Sequence, residues 1–490
     1  MFLALLVGLV LTASPLLRGA WDTWAHTLVV AAVLGGTWAW LAFRTVAGDL
    51  PLPFPNRALA WIAGMAALAT LSAKLSPTPG PAVREWWTWM VAFWILLSVP
   101  LIPEERRGWV ERGILFSAWA LSGLAMYQRL FEGRAAPEAS LINPNVFAGT
   151  ILMMLPLALH RGHRALAALL ILCLAWTRSA GAWACLSLVL LAFFYRRGGP
   201  WLGLSLIAFG VTAVALHDKL VGPSAFERLA WWQAAWAMAW DRPWTGFGPG
   251  GFAQAFPAFR PEGGGLSSLY AHQFVLETAA GFGWPFAAAW LVWVLRRMGQ
   301  SRGWAAWAMV GGGLHAMGDY SLQIPSNLWL FSYLLVAVQP ERQAWFPVRA
   351  RLKVPFLIAL TGLTLAMGQR SIALWDAERF VAEARGKPDP AASERLLQEA
   401  AGLAPEDPAP LDELSSLRVR AYEFGGGRGF LLEAIGLKER SLELHPFRPA
   451  AWVELVRLYR LQGRTDLAEE AAGRARRVFR RRGRTPGVPA

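Results

Sequence analysis

From the N-terminus to about residue 374 the chain repeats apolar runs of ~20 residues, broken by short polar or basic joints. A helix of that length matches the ~30 Å hydrocarbon core of a bilayer, and its backbone hydrogen bonds are satisfied within the segment. The repetition therefore predicts an all-α, polytopic transmembrane helical bundle.

Composition agrees. Of 490 residues, 55% are hydrophobic and only 16% charged, and the mean hydropathy is +0.35. An ordinary soluble chain of this length is less apolar. Many of the 28 tryptophans flank the runs, where indole favours the membrane–water interface. The first run, from Met1, lacks a basic leader and is followed by more spans, so it reads as a helix and not a cleaved signal peptide. The two cysteines, Cys173 and Cys185, both lie in apolar segments and support neither a disulfide framework nor a zinc site.

Hydropathy places about thirteen spans, centred near residues 10, 34, 66, 94, 120, 153, 170, 188, 209, 285, 312, 332 and 363; the short pair near 170 and 188 leaves twelve as the alternative count. The net charge of +14 raises the question of a nucleic-acid partner. Its distribution argues against one, because most arginines fall in short joints. With the N-terminus in the cytoplasm, alternate joints carry Arg44 and Arg57; Arg106, Arg107 and Arg112; Arg161 and Arg164; Arg196 and Arg197; Arg296, Arg297 and Arg302; and Arg342, Arg349, Arg351 and Lys353. The opposite joints are poorer in basic residues, the positive-inside pattern. This orientation puts Asn143-Pro144-Asn145, Arg178, Asp319 and one large loop, 218–273, on the extracytoplasmic side, with the C-terminal region.

The composition changes near residue 375. Residues 1–375 read as the membrane domain, and 376–490 as a charged, Ala-rich helical-repeat domain. Trp452, Leu455, Tyr459, Gly463, Ala468 and Ala475 fit a tetratricopeptide-type repeat, with weaker echoes at Ala434, Ser441 and Pro446 and at Ala400 and Pro405. Such repeats stack and offer a surface to a protein partner. The last residues form a basic tail.

Several polar residues resist explanation as anchors. Arg228 opens a helical run to Trp240 whose tryptophans, Trp232, Trp236 and Trp240, recur every four residues. It reads either as a head-group anchor on a surface helix or as an anion contact, since a guanidinium keeps its charge and presents a fork of donors. Arg178 carries the same two readings. Residues 246–251 formally match G-x-G-x-x-G, but no strand precedes them; a tight turn is expected, with backbone N–H groups able to face a phosphate or sugar. His272 stands where the loop re-enters the membrane and reads as structural or as a base. Glu277 lies five residues on, poorly spaced to orient it. His315 and Asp319, four apart, read as sharing a helix face, either as an ion pair or with Asp319 positioning an arginine or a sugar hydroxyl. No metal-ligand spacing such as H-E-x-x-H is present, so neither an essential metal nor another cofactor is expected.

Taken in order, Asn143-Pro144-Asn145-Val146-Phe147-Ala148, the T-x-S-x-G-A-W segment at 177–183, Arg228 with Trp231 and the DRPWTGFGPGGF stretch, His272 with Leu276 and Glu277, and His315-x-x-x-Asp319 with Pro325 resemble the O-antigen ligase and O-antigen polymerase superfamily of bacterial inner-membrane glycosyltransferases. The resemblance covers roughly residues 1–375. It implies a metal-independent enzyme of the bacterial inner membrane. A glycan would pass from a polyprenyl diphosphate donor to an acceptor hydroxyl on the extracytoplasmic face. The functional set implied is two arginines and a histidine. Arg228 and His272 match; the other arginine would stand at Ala180, two residues after Arg178, and the amide that usually follows the histidine as Asn is Gln273. Asn145, Arg178 and Asp319 join Arg228 as expected substrate contacts, with Glu277 and His315 in support.

The acceptor divides the readings. A growing glycan would make a polymerase, a lipid A-core sugar a ligase, and a protein hydroxyl an oligosaccharyltransferase. A transporter or a scaffold presenting the repeats is the non-enzymatic alternative; a transporter would place polar residues at the bilayer midplane, whereas here they cluster at one surface. Cysteines introduced as Arg228→Cys and Arg460→Cys should both react with a membrane-impermeant maleimide from the extracytoplasmic side; labelling from the cytoplasm alone would overturn the orientation.

Overall fold

The computed structural model describes residues 1–52, 57–195, 199–261, 266–337, 344–347 and 349–479. Arg196, Arg197, Arg342 and most of the basic tail lie outside the described residues. Among the described residues the regular structure is helical, apart from one antiparallel pair of four-residue strands, β1 (Asp49–Leu52) and β2 (Ala344–Pro347).

Helices α1 (Phe2–Leu16), α2 (Thr23–Ala47), α3 (Arg57–Lys74), α4 (Pro79–Ser98) and α5 (Glu104–Leu130) begin the bundle. The hairpin α6 (Pro144–His160) and α7 (Arg164–Thr177) follows, then α8 (Ala180–Tyr195) and α9 (Pro200–Val221). The stretch 218–273, expected as a loop, is largely helical. α9 runs on to Val221, and α10 (Pro223–Asp241) and α11 (Gly251–Phe259) fill much of the rest. The bundle closes with α12 (Phe274–Phe282), α13 (Trp284–Gln300), α14 (Trp304–His315), α15 (Pro325–Ala337) and α16 (Ala350–Gly386).

Every expected span centre falls on a helix. The one near 285 lies at the start of α13, just after the backbone breaks between α12 and α13 at Gly283, φ 85°. A Cβ at that glycine would meet the Trp244 carbonyl carbon at 2.6 Å, so only glycine fits. By length and apolarity together, α2 and α16 are the helices able to cross a membrane among the described residues; α1, α3, α6, α7, α8 and part of α9 are apolar but shorter.

α15 is the axis of the bundle. All thirteen of its residues are buried, so its ends cannot turn to water. Near its start the Asn327 amide donates to the Val146 carbonyl at 3.2 Å and accepts from the Thr150 hydroxyl at 2.7 Å. At its other end Arg297 donates to the Leu335 carbonyl at 2.9 Å and Arg107 to the Ala337 carbonyl at 3.0 Å. Arg107 and Arg297, expected as exposed loop charges, are therefore buried caps.

α16 runs unbroken through residues 375 and 376, where the composition shifts. It leads into α17 (Pro390–Leu403), α18 (Ala409–Glu423), α19 (Arg428–Leu444), α20 (Pro449–Gln462) and α21 (Thr465–Phe479), each packed on the next. Trp452, Leu455, Tyr459 and Ala468 are buried in one core of this unit. The unit is docked on α10 and α11. Phe447 joins the core of Trp231, Met238, Phe247 and Phe256, its ring 5.8 Å from that of Phe247. His445 Nε2 lies 2.6 Å from Gln254 Oε1, and Arg370 pairs with Glu406. Phe447→Ala should cost about 3–5 kcal/mol of stability, the usual penalty for emptying a buried phenylalanine site; thermal unfolding in detergent should show the loss, with faster proteolysis near residue 447. An unchanged transition would mean the docking does not depend on this ring.

Candidate active site

α10 starts with Pro223 in its first turn and carries two residues toward the site. Arg228 and Trp231 are three apart and share one side of the helix. The Trp231 ring stacks on the His272 ring at 4.7 Å and 23°. Trp236 and Trp240 are 40% and 49% exposed, while Ala234, Ala235 and Met238 are buried, so α10 is amphipathic as expected.

His272 adopts a left-handed backbone conformation, φ 56°. For a residue with a Cβ this costs about 1–2 kcal/mol. Its neighbours hold it there. The Ala271 N–H donates to Glu277 Oε2 at 2.9 Å, the Leu276 N–H donates to Gln273 Oε1 at 2.5 Å, and the Phe274 N–H donates to the Ala316 carbonyl at 3.0 Å. Glu277 thus fixes the backbone beside His272 and not the imidazole, and Gln273 caps α12. His272 Nδ1 is buried with no hydrogen-bond partner. Burial, and then the Arg228 charge, lower this imidazole to about 4, so it is neutral at physiological pH.

His315 and Asp319 do not share a helix face. α14 ends at His315, whose Nδ1 lies 3.1 Å from Ser321 Oγ, and Asp319 sits in the turn beyond. The side chain of Asn145 and the backbone N–H groups of Tyr320 and Ser321 face the Asp319 carboxylate, whose Oδ1 is buried without a hydrogen-bond partner. Burial raises this carboxyl to about 7, against the pull of Arg228 and these donors. Asn143 caps α6 by accepting from the Asn145 N–H at 2.8 Å, which sets Asn145 in the first turn.

One guanidinium links the group: Arg228 acts electrostatically on His272, His315 and Asp319. Arg178 is exposed, left-handed at φ 55°, in the turn between α7 and α8. The antiparallel α6–α7 hairpin nevertheless brings that turn to the end of the bundle where Asn145 lies. The glycine run forms the expected turn, and it packs on α12. Its Phe247 and Gly248 N–H groups donate to the Ala280 and Gly281 carbonyls at 2.9 and 2.8 Å. A Cβ on Gly246 would fall 2.2 Å from the Gly281 oxygen, so the turn is a clamp against α12.

Several site residues were not singled out from the sequence. Tyr320 meets His272 edge-on at 4.8 Å and stacks on Tyr270 at 4.6 Å and 8°; Tyr270 in turn meets Trp21 at 5.8 Å. Arg84 lies over the Trp21 ring and donates to the Trp21 carbonyl. Burial first, and then the carboxylates of Glu85 and Glu277, raise the Tyr270 phenol. No spacing joins positions 21, 84, 270 and 320. The T-x-S-x-G-A-W segment at 177–183, by contrast, lies one hairpin from Asn145. Among the described residues no three His, Cys, Asp or Glu side chains gather as a metal-ligand set.

The two titrating groups act oppositely on stability. Asp319 binds its proton more tightly in the folded chain, so its contribution is present at low pH and lost as pH rises from 3.8 toward about 7. His272 contributes above its ordinary 6.5 and loses that as pH falls toward about 4. Wild type should therefore lose stability relative to Asp319→Asn across pH 4–7, measured by unfolding in detergent. A constant difference would place the carboxyl at an ordinary pKa.

No curated protein matches the chain. Residues 165–291 match the family model described as O-antigen ligase. That span contains Arg178, Arg228, His272 and Glu277, and at family level it supports a membrane glycosyltransferase of the ligase or polymerase type. Over residues 165–291 the chain is thus similar to the O-antigen ligase family.

Proposed function

We propose that the chain transfers a glycan from a polyprenyl diphosphate donor to an acceptor hydroxyl at the extracytoplasmic face of a bacterial inner membrane, as an O-antigen ligase-like, metal-independent enzyme. The observation that carries this reading is the seating of His272 between Trp231, one helical turn from Arg228 on α10, and Tyr320, next to Asp319, at one end of an apolar helical bundle. Residues 1–375 serve as the membrane domain, with about thirteen spans, and 376–490 as tetratricopeptide-type repeats.

The donor's diphosphate sits against Arg228, whose charge stabilises the negative charge that develops as the sugar leaves. Arg178, at the same end of the bundle, reaches the outer phosphate. The acceptor oxygen attacks the anomeric carbon, and the C–O bond to the diphosphate breaks. Its electron pair goes to the phosphate oxygen, and configuration inverts. His272 takes the acceptor proton. Burial alone leaves the imidazole a weak base; neutralising Arg228 with a diphosphate lifts the second cause of its low pKa. The base thus strengthens when the donor is seated. Asp319 positions the turn that sets Tyr320 against His272, and Asn145 holds Asp319.

In purified, reconstituted protein supplied with the lipid-linked glycan, His272→Ala should lower the transfer rate about 10²–10⁴-fold. Arg228→Ala should lower it about 10²–10³-fold. Folded variants that transfer at the wild-type rate would sink the assignment. Deletion in the host, followed by finding which glycoconjugate loses its glycan, identifies the acceptor.

A further inference from the structure

A groove of about 450 Å³ opens beside the site, between the start of α2 and the C-terminal half of α16. That is the size range of small-molecule sites. Trp21, Trp24 and Trp375 line it with Arg84, Glu378 and Arg379. Thr23, 9% exposed, also lines it, and its hydroxyl has no hydrogen-bond partner.

Three indoles beside two guanidinium groups and two carboxylates is a chemistry suited to sugars. A pyranose has an apolar C–H face that packs on an aromatic ring, and a rim of hydroxyls that both donate and accept. Arginine supplies donors, glutamate acceptors, and a threonine hydroxyl either. The mixed charge does not favour a strongly anionic ligand: Asp22, which also lines the groove, pairs with Arg18 at 3.2 Å, and Arg379 pairs with Asp376 at 2.9 Å. The groove is also connected to the site. From His272 the ring-to-ring steps through Tyr320 and Tyr270 to Trp21 are 4.8, 4.6 and 5.8 Å. Those ring contacts tie the groove's Trp21 to His272.

We propose that this groove is a second carbohydrate subsite, which holds sugar residues of the glycan away from the bond being transferred. The proposal rests on the glycosyltransferase reading of the His272 site. It also assigns α16 a role in substrate selection, because Trp375, Glu378 and Arg379 stand on the stretch of that helix leading to the C-terminal unit.

The test uses the full chain in nanodiscs and the water-soluble glycan released by mild acid from the host's lipid-linked donor. Saturation-transfer NMR should show sugar signals with wild type. Trp375→Ala and Glu378→Gln should each weaken binding about three- to tenfold, the scale of one aromatic or polar contact. In the transfer assay both should raise KM more than they lower kcat. Equal binding by wild type and both variants, or no binding by wild type, overturns the proposal. So does a result in which Trp24→Ala and Trp375→Ala loosen only the hold on the bilayer, which would make these indoles interface anchors. If wild type binds the glycan in this groove but transfers nothing, the subsite stands and the catalytic reading falls.

Discussion

The bundle depends on one constraint: α15 is buried on every side, and its terminal carbonyls and its Asn327 amide must still find partners. An unpartnered buried polar group costs about 1–3 kcal/mol. Four elements therefore converge on it. α6 meets Asn327 with the Val146 carbonyl and the Thr150 hydroxyl, and α4 accepts the Trp329 indole N–H at the Thr88 carbonyl, 2.8 Å away. Arg107 from α5 and Arg297 from α13 close the far end. These contacts set the relative height of the helices. The same register brings the start of α6, with Asn145, to the Asp319 turn that leads into α15.

A rigid frame lets a strained residue persist. The left-handed His272 is held by hydrogen bonds at Ala271, Gln273 and Phe274, reaching α12 and the end of α14. Glu277 is used entirely for this: its buried carboxylate accepts a backbone N–H beside the imidazole and leaves the ring to Trp231 and Tyr320. The C-terminal unit adds weight from outside. Phe447 seals the core under α10 and α11, so the helix bearing Arg228 is packed from both the bundle and the C-terminal unit. A change in the C-terminal unit has a direct packing route to the site.

Much of the local structure was legible. Apolar runs gave helices at every expected centre, and the four-residue tryptophan spacing gave α10, with Arg228 in its first half. The tight turn at 246–251 follows from glycine chemistry. Two residue-level readings did not carry through. His315 and Asp319 have helical spacing, yet α14 ends at His315. Arg107 and Arg297 looked like loop charges and are buried caps. Each error has one cause: a spacing rule reports which residues share an element, but not where that element ends or what lies opposite it.

The sequence by itself determined that this chain is helical and apolar, and that its unusual polar residues sit between its runs. Hydrophobic length and period act locally, so they can be read one segment at a time. Only the tertiary structure decided that Trp21, Arg84, Arg228, Tyr270, His272 and Tyr320 belong together, at positions 63 to 299 residues along the chain from Trp21. Their association depends on helix heights and on ring stacking between distant elements, which no local period encodes. It decided, too, that the C-terminal helices lie against α10 and α11, since that contact rests on the fit of Phe447 into a core assembled from four other segments.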